Sequence, residues 1–155
     1  MNENEIVLIL LEYIKELGYK VKIIPSGVPT VSYVKKEVRL TREDVILYHV
    51  LHEVAHMLLG DYENTPEAEA LNEALAESTS IVVRNVLGFE KHPHDDLYID
   101  LNLRRLGKSR KQFFNEYGAL IKRNAKVILK RIKQTNGKGV PFVGCKRVLT
   151  AGRTY

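Results

Sequence analysis

Residues 51–61 read Leu51-His52-Glu53-Val54-Ala55-His56-Met57-Leu58-Leu59-Gly60-Asp61. On a helix, positions i and i+4 share a face and lie about 6 Å apart. His52 and His56 would therefore point the same way. Two imidazoles at that spacing can converge on one ion, with zinc–nitrogen bonds of about 2.0–2.1 Å. Glu53 sits one residue round from the first histidine, so it can reach a water at such an ion without being a ligand. This HExxH spacing is the pattern of zinc hydrolases, and it arises by chance on the order of once in a few hundred chains of this length.

The flanking residues predict the helix that the motif needs. Thr41 with Asp44 three residues on resembles a capping box with Asp in place of Glu. Val45, Tyr48, Leu51, Ala55, Leu58 and Leu59 supply apolar contacts, and Gly60 is a C-terminal stop. A further helix should open at Thr65-Pro66, a cap followed by proline in the first turn, with Glu67 and Glu69 near its positive end. It should run to about Leu87, with Gly88 ending it.

A catalytic zinc usually takes three protein ligands and a water. The third should come from this second helix, where Glu69, Glu73 and Glu77 recur every four residues. Glu73 is the expected ligand, and Glu77 the carboxylate that orients a histidine's other nitrogen. The reverse assignment stays open, and Glu69 fits a solvated face.

Further out, Ile6, Leu10, Ile14 and Leu17 recur at helical spacing, so residues 3–17 should form a helix ended by Gly18. Three short strands should follow, at Tyr19–Ile24, Val31–Val34 and Val38–Leu40. Residues 89–108 read as a linker. Ser109 can cap a last helix to about Gln134, with Phe113, Tyr117, Leu120, Ile121, Ile128 and Ile132 as its apolar stripe and Lys122, Lys126 and Lys130 as a basic one. The expected architecture is α+β: a small antiparallel sheet packed on the HExxH helix, a glutamate-bearing helix and a long C-terminal helix. Residues 1–135 should form one domain and residues 136–155 a basic extension.

Charge divides along the same line. The 155 residues carry 24 Lys and Arg against 19 Asp and Glu, a net +5. Residues 104–155 hold +14 of charge, with Glu116 their only acid, and residues 1–103 hold −9. A basic helical stripe is the usual footprint of a nucleic-acid or acidic partner, or else a solvated face. A single cysteine, Cys145, excludes an internal disulfide framework. The apolar run Ile6–Leu11 is too short to span a membrane, and the acids Glu3 and Glu5 precede it where a signal peptide would carry positive charge. The expectation is a cytoplasmic protein with no membrane partner.

Leu51 through Asp61 resembles the active-site helix of the ImmA/IrrE-type metallopeptidases, which follow HExxH with a Glu-x-x-Ala helix. Glu73-Ala74-Leu75-Ala76 matches that second element. Ala76-Glu77-Ser78, Val82-Val83 and Leu87-Gly88-Phe89 resemble the zincin domain of ArdC-like antirestriction and primase-associated proteins. The likeness in architecture covers roughly residues 5–134, and only the HExxH and the helix after it are specific. ImmA-type helices often end in a Leu-Leu-Met-Pro-like segment, where this chain has Leu58-Leu59-Gly60-Asp61.

The resemblance implies a zincin fold in which His52, His56 and a downstream glutamate hold Zn²⁺ and Glu53 is the general base. The implied function is a zinc metallopeptidase that cuts a specific protein or peptide substrate, for instance a regulator of a mobile-element or stress response. Many zincins also use a downstream Tyr or His to donate to the oxyanion. Tyr98 is the candidate, set against the ordinary half-buried tyrosine. The alternative is a DNA-associated or partner-binding module with a structural zinc and a basic tail. His49 is about 10 Å along the axis from His56, too far to share an ion. His92 and His94, beside Asp95 and Asp96, read as a solvated loop or a second metal site.

Overall fold

The first helix, α1 (Glu3–Glu16), opens on a reciprocal cap. The Asn2 side chain accepts from the Glu5 amide at 2.9 Å, and the Glu5 carboxylate accepts from the Asn2 amide at 2.9 Å. Two donors that the helix leaves unpaired are satisfied this way. Ile6 through Leu11 are all buried, so α1 forms the axis of the main core. The computed structural model describes residues 1–138, so most of the expected extension 136–155, including Cys145, lies outside the described residues.

Three strands follow: β1 (Lys20–Ile24), β2 (Thr30–Ser32) and β3 (Glu37–Thr41). Their order in the sheet is β1-β3-β2. The antiparallel sheet expected from sequence is in fact mixed: β3 runs antiparallel to β2 but parallel to β1, with Lys20 opposite Glu37 and Ile24 opposite Thr41. The linker at residues 25–29 carries Pro25 and Pro29, which have no amide to give to a ladder. β1 and β2 therefore do not zip into a hairpin. The chain turns back after β2 through Lys36, at φ 52°, and β3 enters between the other two. Burial rewards this order, because Val38 and Leu40 of β3 are fully buried while β1 and β2 are partly exposed.

Helix α2 (Leu47–Leu59) begins five residues later than the sequence suggests, with Ile46 and not Thr41 at its cap position. The Thr41 hydroxyl bonds the Asp44 carboxylate instead of a helix amide, so the capping box does not form. Residues Arg42–Asp44 make a single 3-10 turn. The α2 start instead meets Glu3 of α1, whose carboxylate accepts from the Leu47 amide at 3.4 Å, a favourable place for an anion. Val50, Leu51, Val54 and Ala55 are fully buried. Burial of each larger one contributes about 1.5–3 kcal/mol, and together they fix the rotation of the helix and thus the direction of His52 and His56.

Gly60 ends α2 at φ 82°, a conformation that costs glycine little. Thr65 then caps α3 (Pro66–Val86) by accepting from the Ala68 amide at 3.1 Å, as expected. The residues read as a linker contain a helix, α4 (Asp95–Leu106). Its apolar stripe is narrow: Ile99 and Leu103 are buried, while Leu97 and Leu101 face solvent and blur the period. Helix α5 (Arg110–Lys138) follows, with Ser109 and Gln112 capping each other at 2.9 and 3.2 Å. It continues through Asn136-Gly137, past the expected stop.

Two apolar clusters hold these parts together. One joins α1, β3 and α2 to Val83 of α3 and to Ala125, Ile128 and Ile132 of α5. The other joins Ala74 and Leu75 of α3 to Ile99 and Leu103 of α4 and to Phe113 and Ile121 of α5. Among the described residues the architecture is therefore α+β, five helices and a small sheet. No helix among the described residues is long and apolar enough to cross a membrane.

Candidate metal centre

α2 and α3 pack side by side, and the polar face of each looks into the seam. His52 Nε2 lies 2.9 Å from His56 Nε2 and 3.1 Å from Glu73 Oε2. His56 Nε2 lies 3.1 Å from Glu73 Oε1. Ligand atoms on a tetrahedral metal with bonds of 2.0–2.1 Å sit about 3.3 Å apart. The three groups are within a few tenths of an ångström of that arrangement. They form the one cluster of this kind among the described residues that could hold a metal ion.

The outer nitrogens explain why the inner ones point inward. His52 Nδ1 faces Glu77 Oε2 at 2.8 Å, and His56 Nδ1 bonds Asn72 Oδ1. Both partners accept, so a neutral ring here carries its proton on Nδ1 and turns the Nε2 lone pair inward. Two lone pairs and a carboxylate then converge on one point. Such a set repels itself unless a cation sits among the three groups. The donor set, two imidazoles and one carboxylate, suits a divalent transition metal.

No protein-family model, curated protein or solved structure matches this chain.

The protonation of the site carries the same message. Burial pulls the His52 imidazole down, but the Glu73 and Glu77 carboxylates on its two nitrogens outweigh it and push the group up to about 10. Burial would raise Glu73, yet its bonds to His52 and His56 hold it far below the usual carboxylate range. A proton on His52 thus takes the place of the cation that the three groups need. Burial raises Glu53, against the opposing pull of His52 and His56. Glu53 is 6% exposed and bonds to neither histidine, so it remains a carboxylate with elevated proton affinity at the edge of the cluster.

The cluster lies at the base of a cleft with two lobes. One, of about 260 Å³, is bordered by Val28, Tyr48, His49 and Tyr98. The other, of about 170 Å³, is bordered by Thr30, Val31, Tyr33 and Tyr62. Pro29, Glu53 and Glu73 belong to both. A wider depression of about 730 Å³ opens at the carboxyl ends of β1 and β3, but no cluster of metal-binding side chains lies in it.

Tyr98, Glu77 and His49 border this cleft, whereas Glu69 does not. Tyr98 arrives on α4, and its hydroxyl donates to Glu73 Oε2 at 2.5 Å. Burial and that carboxylate raise the phenol well above its ordinary value. Glu77 faces His52 Nδ1 and lies outside the group of three that could hold an ion, so of the two open assignments the geometry favours Glu73 for the inner position. His49 borders the cleft and faces Asp44 at 3.5 Å, with burial lowering its proton affinity. Glu69 pairs with Arg105 on the surface at 3.4 Å.

The second metal site does not form. Asp95 is buried against Arg84, and His92 stacks on Tyr48 with ring centres 4.1 Å apart. Sequence reasoning missed Asn72, Arg84 and the role of Asp95. Asn72 left one usable signal, a residue of low helical preference in the first half of a long helix. The burial of Arg84 and Asp95 left none, because the two come from different helices.

Proposed function

We propose that the protein is a zinc-dependent metallopeptidase of zincin type, related in its site to the ImmA/IrrE and ArdC-like zincins. The observation that carries the reading is the convergence of His52 Nε2, His56 Nε2 and the Glu73 carboxylate beside the buried Glu53. Structural zinc sites are closed by four protein ligands, whereas catalytic ones keep a position open. Three groups facing a cleft fit the second kind.

Zinc held there supplies Lewis acidity to a water and to a substrate carbonyl. The chain's own residues do the rest. Glu53 takes a proton from water as it attacks the carbonyl carbon, then returns it to the departing nitrogen. Its elevated proton affinity suits that double task. Glu77 and Asn72 fix the two imidazoles, so neither ring turns its Nε2 away. Tyr98 holds Glu73, and it could donate to the carbonyl oxygen by exchanging that bond.

The substrate would lie along β2. β3 is paired on both sides and offers no edge, so the pairing strand is its neighbour. β2 is an edge strand, and its Thr30 and Val31 border the cleft. An extended peptide can add to such an edge through main-chain hydrogen bonds. The deciding experiment measures bound metal and then compares wild type with Glu53→Gln on a peptide library. Metal retained with cleavage lost supports the reading. A wild-type protein that binds no zinc, or cuts no peptide, refutes it.

A second reading, a nucleic-acid-associated protein, draws support from α5. Lys122, Lys126 and Lys130 are exposed on one stripe, while its apolar side is buried in the core. Binding there would be salt-sensitive and indifferent to Glu53→Gln.

A further inference from the structure

Arg84 lies two turns beyond Glu77 on α3 and is 4% exposed. Its guanidinium makes two parallel bonds to Asp95 on α4, at 2.8 and 3.0 Å, and a third to Ser80 at 3.2 Å. Asp95 is fully buried and also accepts from the His92 amide at 3.0 Å. The Tyr48 ring covers the guanidinium at 5.0 Å. A planar fork held on this many sides has no freedom to swing.

One nitrogen of that fork stands 3.6 Å from Glu77 Oε1. This oxygen is buried and meets no donor at hydrogen-bonding distance, although the Tyr48 hydroxyl and the Asp95 carboxyl also interact with the Glu77 side chain. A buried carboxylate oxygen without a donor is costly unless a cation faces it. Arg84 supplies that cation. The other Glu77 oxygen is the one on His52 Nδ1.

We propose that Arg84, fixed by Asp95, is a positioning residue for the metal centre. It holds Glu77 in the orientation that accepts a hydrogen bond from His52 Nδ1 and turns His52 Nε2 toward His56 and Glu73. The inference rests on the metal reading above and adds a control outside the cluster. Asp95 contributes a second time. It pins the first turn of α4, and Tyr98 lies three residues on, with its hydroxyl on Glu73. One buried ion pair therefore sets the outer contacts of two of the three metal-binding side chains.

The test uses the full-length metal-free protein. Zn²⁺ affinity is measured by competition with a chelating dye, and Co²⁺ binding by its visible absorption spectrum. The variants are Arg84→Met, Asp95→Asn, Glu77→Gln and Arg84→Met with Glu77→Gln, each checked for folding by far-UV circular dichroism. Loss of an outer partner weakens metal binding about 10- to 100-fold. Arg84→Met should fall in that range and change the Co²⁺ spectrum. With Glu77→Gln already present, the same change should cost less than about threefold, because the route to His52 is gone. Asp95→Asn should shift affinity in the same direction by less, and it carries the test if Arg84→Met does not fold.

A merely structural ion pair predicts lower stability with unchanged Zn²⁺ affinity and Co²⁺ spectrum, and that result overturns the proposal. So does an Arg84→Met effect that is the same size with and without Glu77. A wild-type protein that takes up neither metal overturns the metal reading itself, and this inference with it.

Discussion

Glu77 takes the Nδ1 side of His52 at 2.8 Å from a position that is 1% exposed. A carboxylate that deep is not there for solubility. It fixes one tautomer of one ring, and so determines which nitrogen of His52 looks into the cleft. Metal binding, catalysis and stability should all respond to this arrangement, each with its own signature.

Metal should stabilise the fold. At a free zinc concentration 100 times the dissociation constant, the gain is about 2.7 kcal/mol. For a chain of this size that corresponds to a rise in melting temperature of about 5–10 °C. His52→Ala, His56→Ala and Glu73→Ala should each abolish the rise. Thermal scans with added zinc and with a chelator read this directly, and an equal rise in the variants would mean that the metal binds elsewhere.

Glu53 should be separable from the metal. Glu53→Gln keeps the shape and the three metal-binding groups but removes the base. Metal content should stay the same, while the rate on a cleavable peptide drops about 100- to 10,000-fold. Cleavage at the wild-type rate would remove Glu53 from the chemistry.

The metal-free protein should depend on pH in a defined window. His52 is pushed up to about 10 from an ordinary 6.5. The folded state therefore binds this proton more tightly than the unfolded chain, and the benefit is complete below pH 6.5 and fades as pH rises to about 10. Glu73 is lowered from 4.5, so its benefit is present above that pH and is lost in acid. Both contributions are whole between pH 4.5 and 6.5. Urea midpoints should fall from pH 6 to pH 10, and His52→Gln should flatten that fall. Added zinc should flatten it too, since metal and proton compete for the same nitrogen.

Leu51 tests the packing beneath the motif. It is fully buried one residue before His52. Leu51→Ala should cost about 2–5 kcal/mol in urea unfolding. Because it loosens the α2 seat, it should also weaken zinc binding, whereas a cavity elsewhere in the α5 core, such as Ile132→Val, should cost stability alone. Equal zinc affinity in both variants would mean that α2 does not need this support.

The α5 stripe has its own readout. If it contacts nucleic acid, neutralising Lys122, Lys126 and Lys130 together should lower the slope of log affinity against log salt by about 2.7, from about 0.9 per phosphate contact. Fluorescence anisotropy with a labelled duplex measures it. An unchanged slope assigns the stripe to solvent.

Much of this was legible in the linear chain, where the cause is local. The i, i+4 histidine pair, the Thr65 cap ahead of Pro66 and the glycine at the end of α2 each depend on residues a few positions apart. Backbone geometry translates such spacings into direction almost independently of the rest of the fold. Thr41 shows the limit, because its hydroxyl found Asp44 and made a turn where a helix start was expected. α4 escaped for a related reason, since half of its leucines face solvent and only packing against α3 and α5 reveals which half is buried.

The sequence alone determined that two imidazoles share one helix face with a glutamate one residue round from it, and that a second helix brings carboxylates every fourth residue. Which carboxylate meets the imidazoles was a tertiary matter, settled by how α3 packs on α2: Glu73 faces both Nε2 atoms and Glu77 the far side of His52. The order of the strands and the burial of Arg84 against Asp95 were decided at the same level. Burial and charge pairing act between surfaces that only the folded chain brings together, and no spacing along the sequence encodes them.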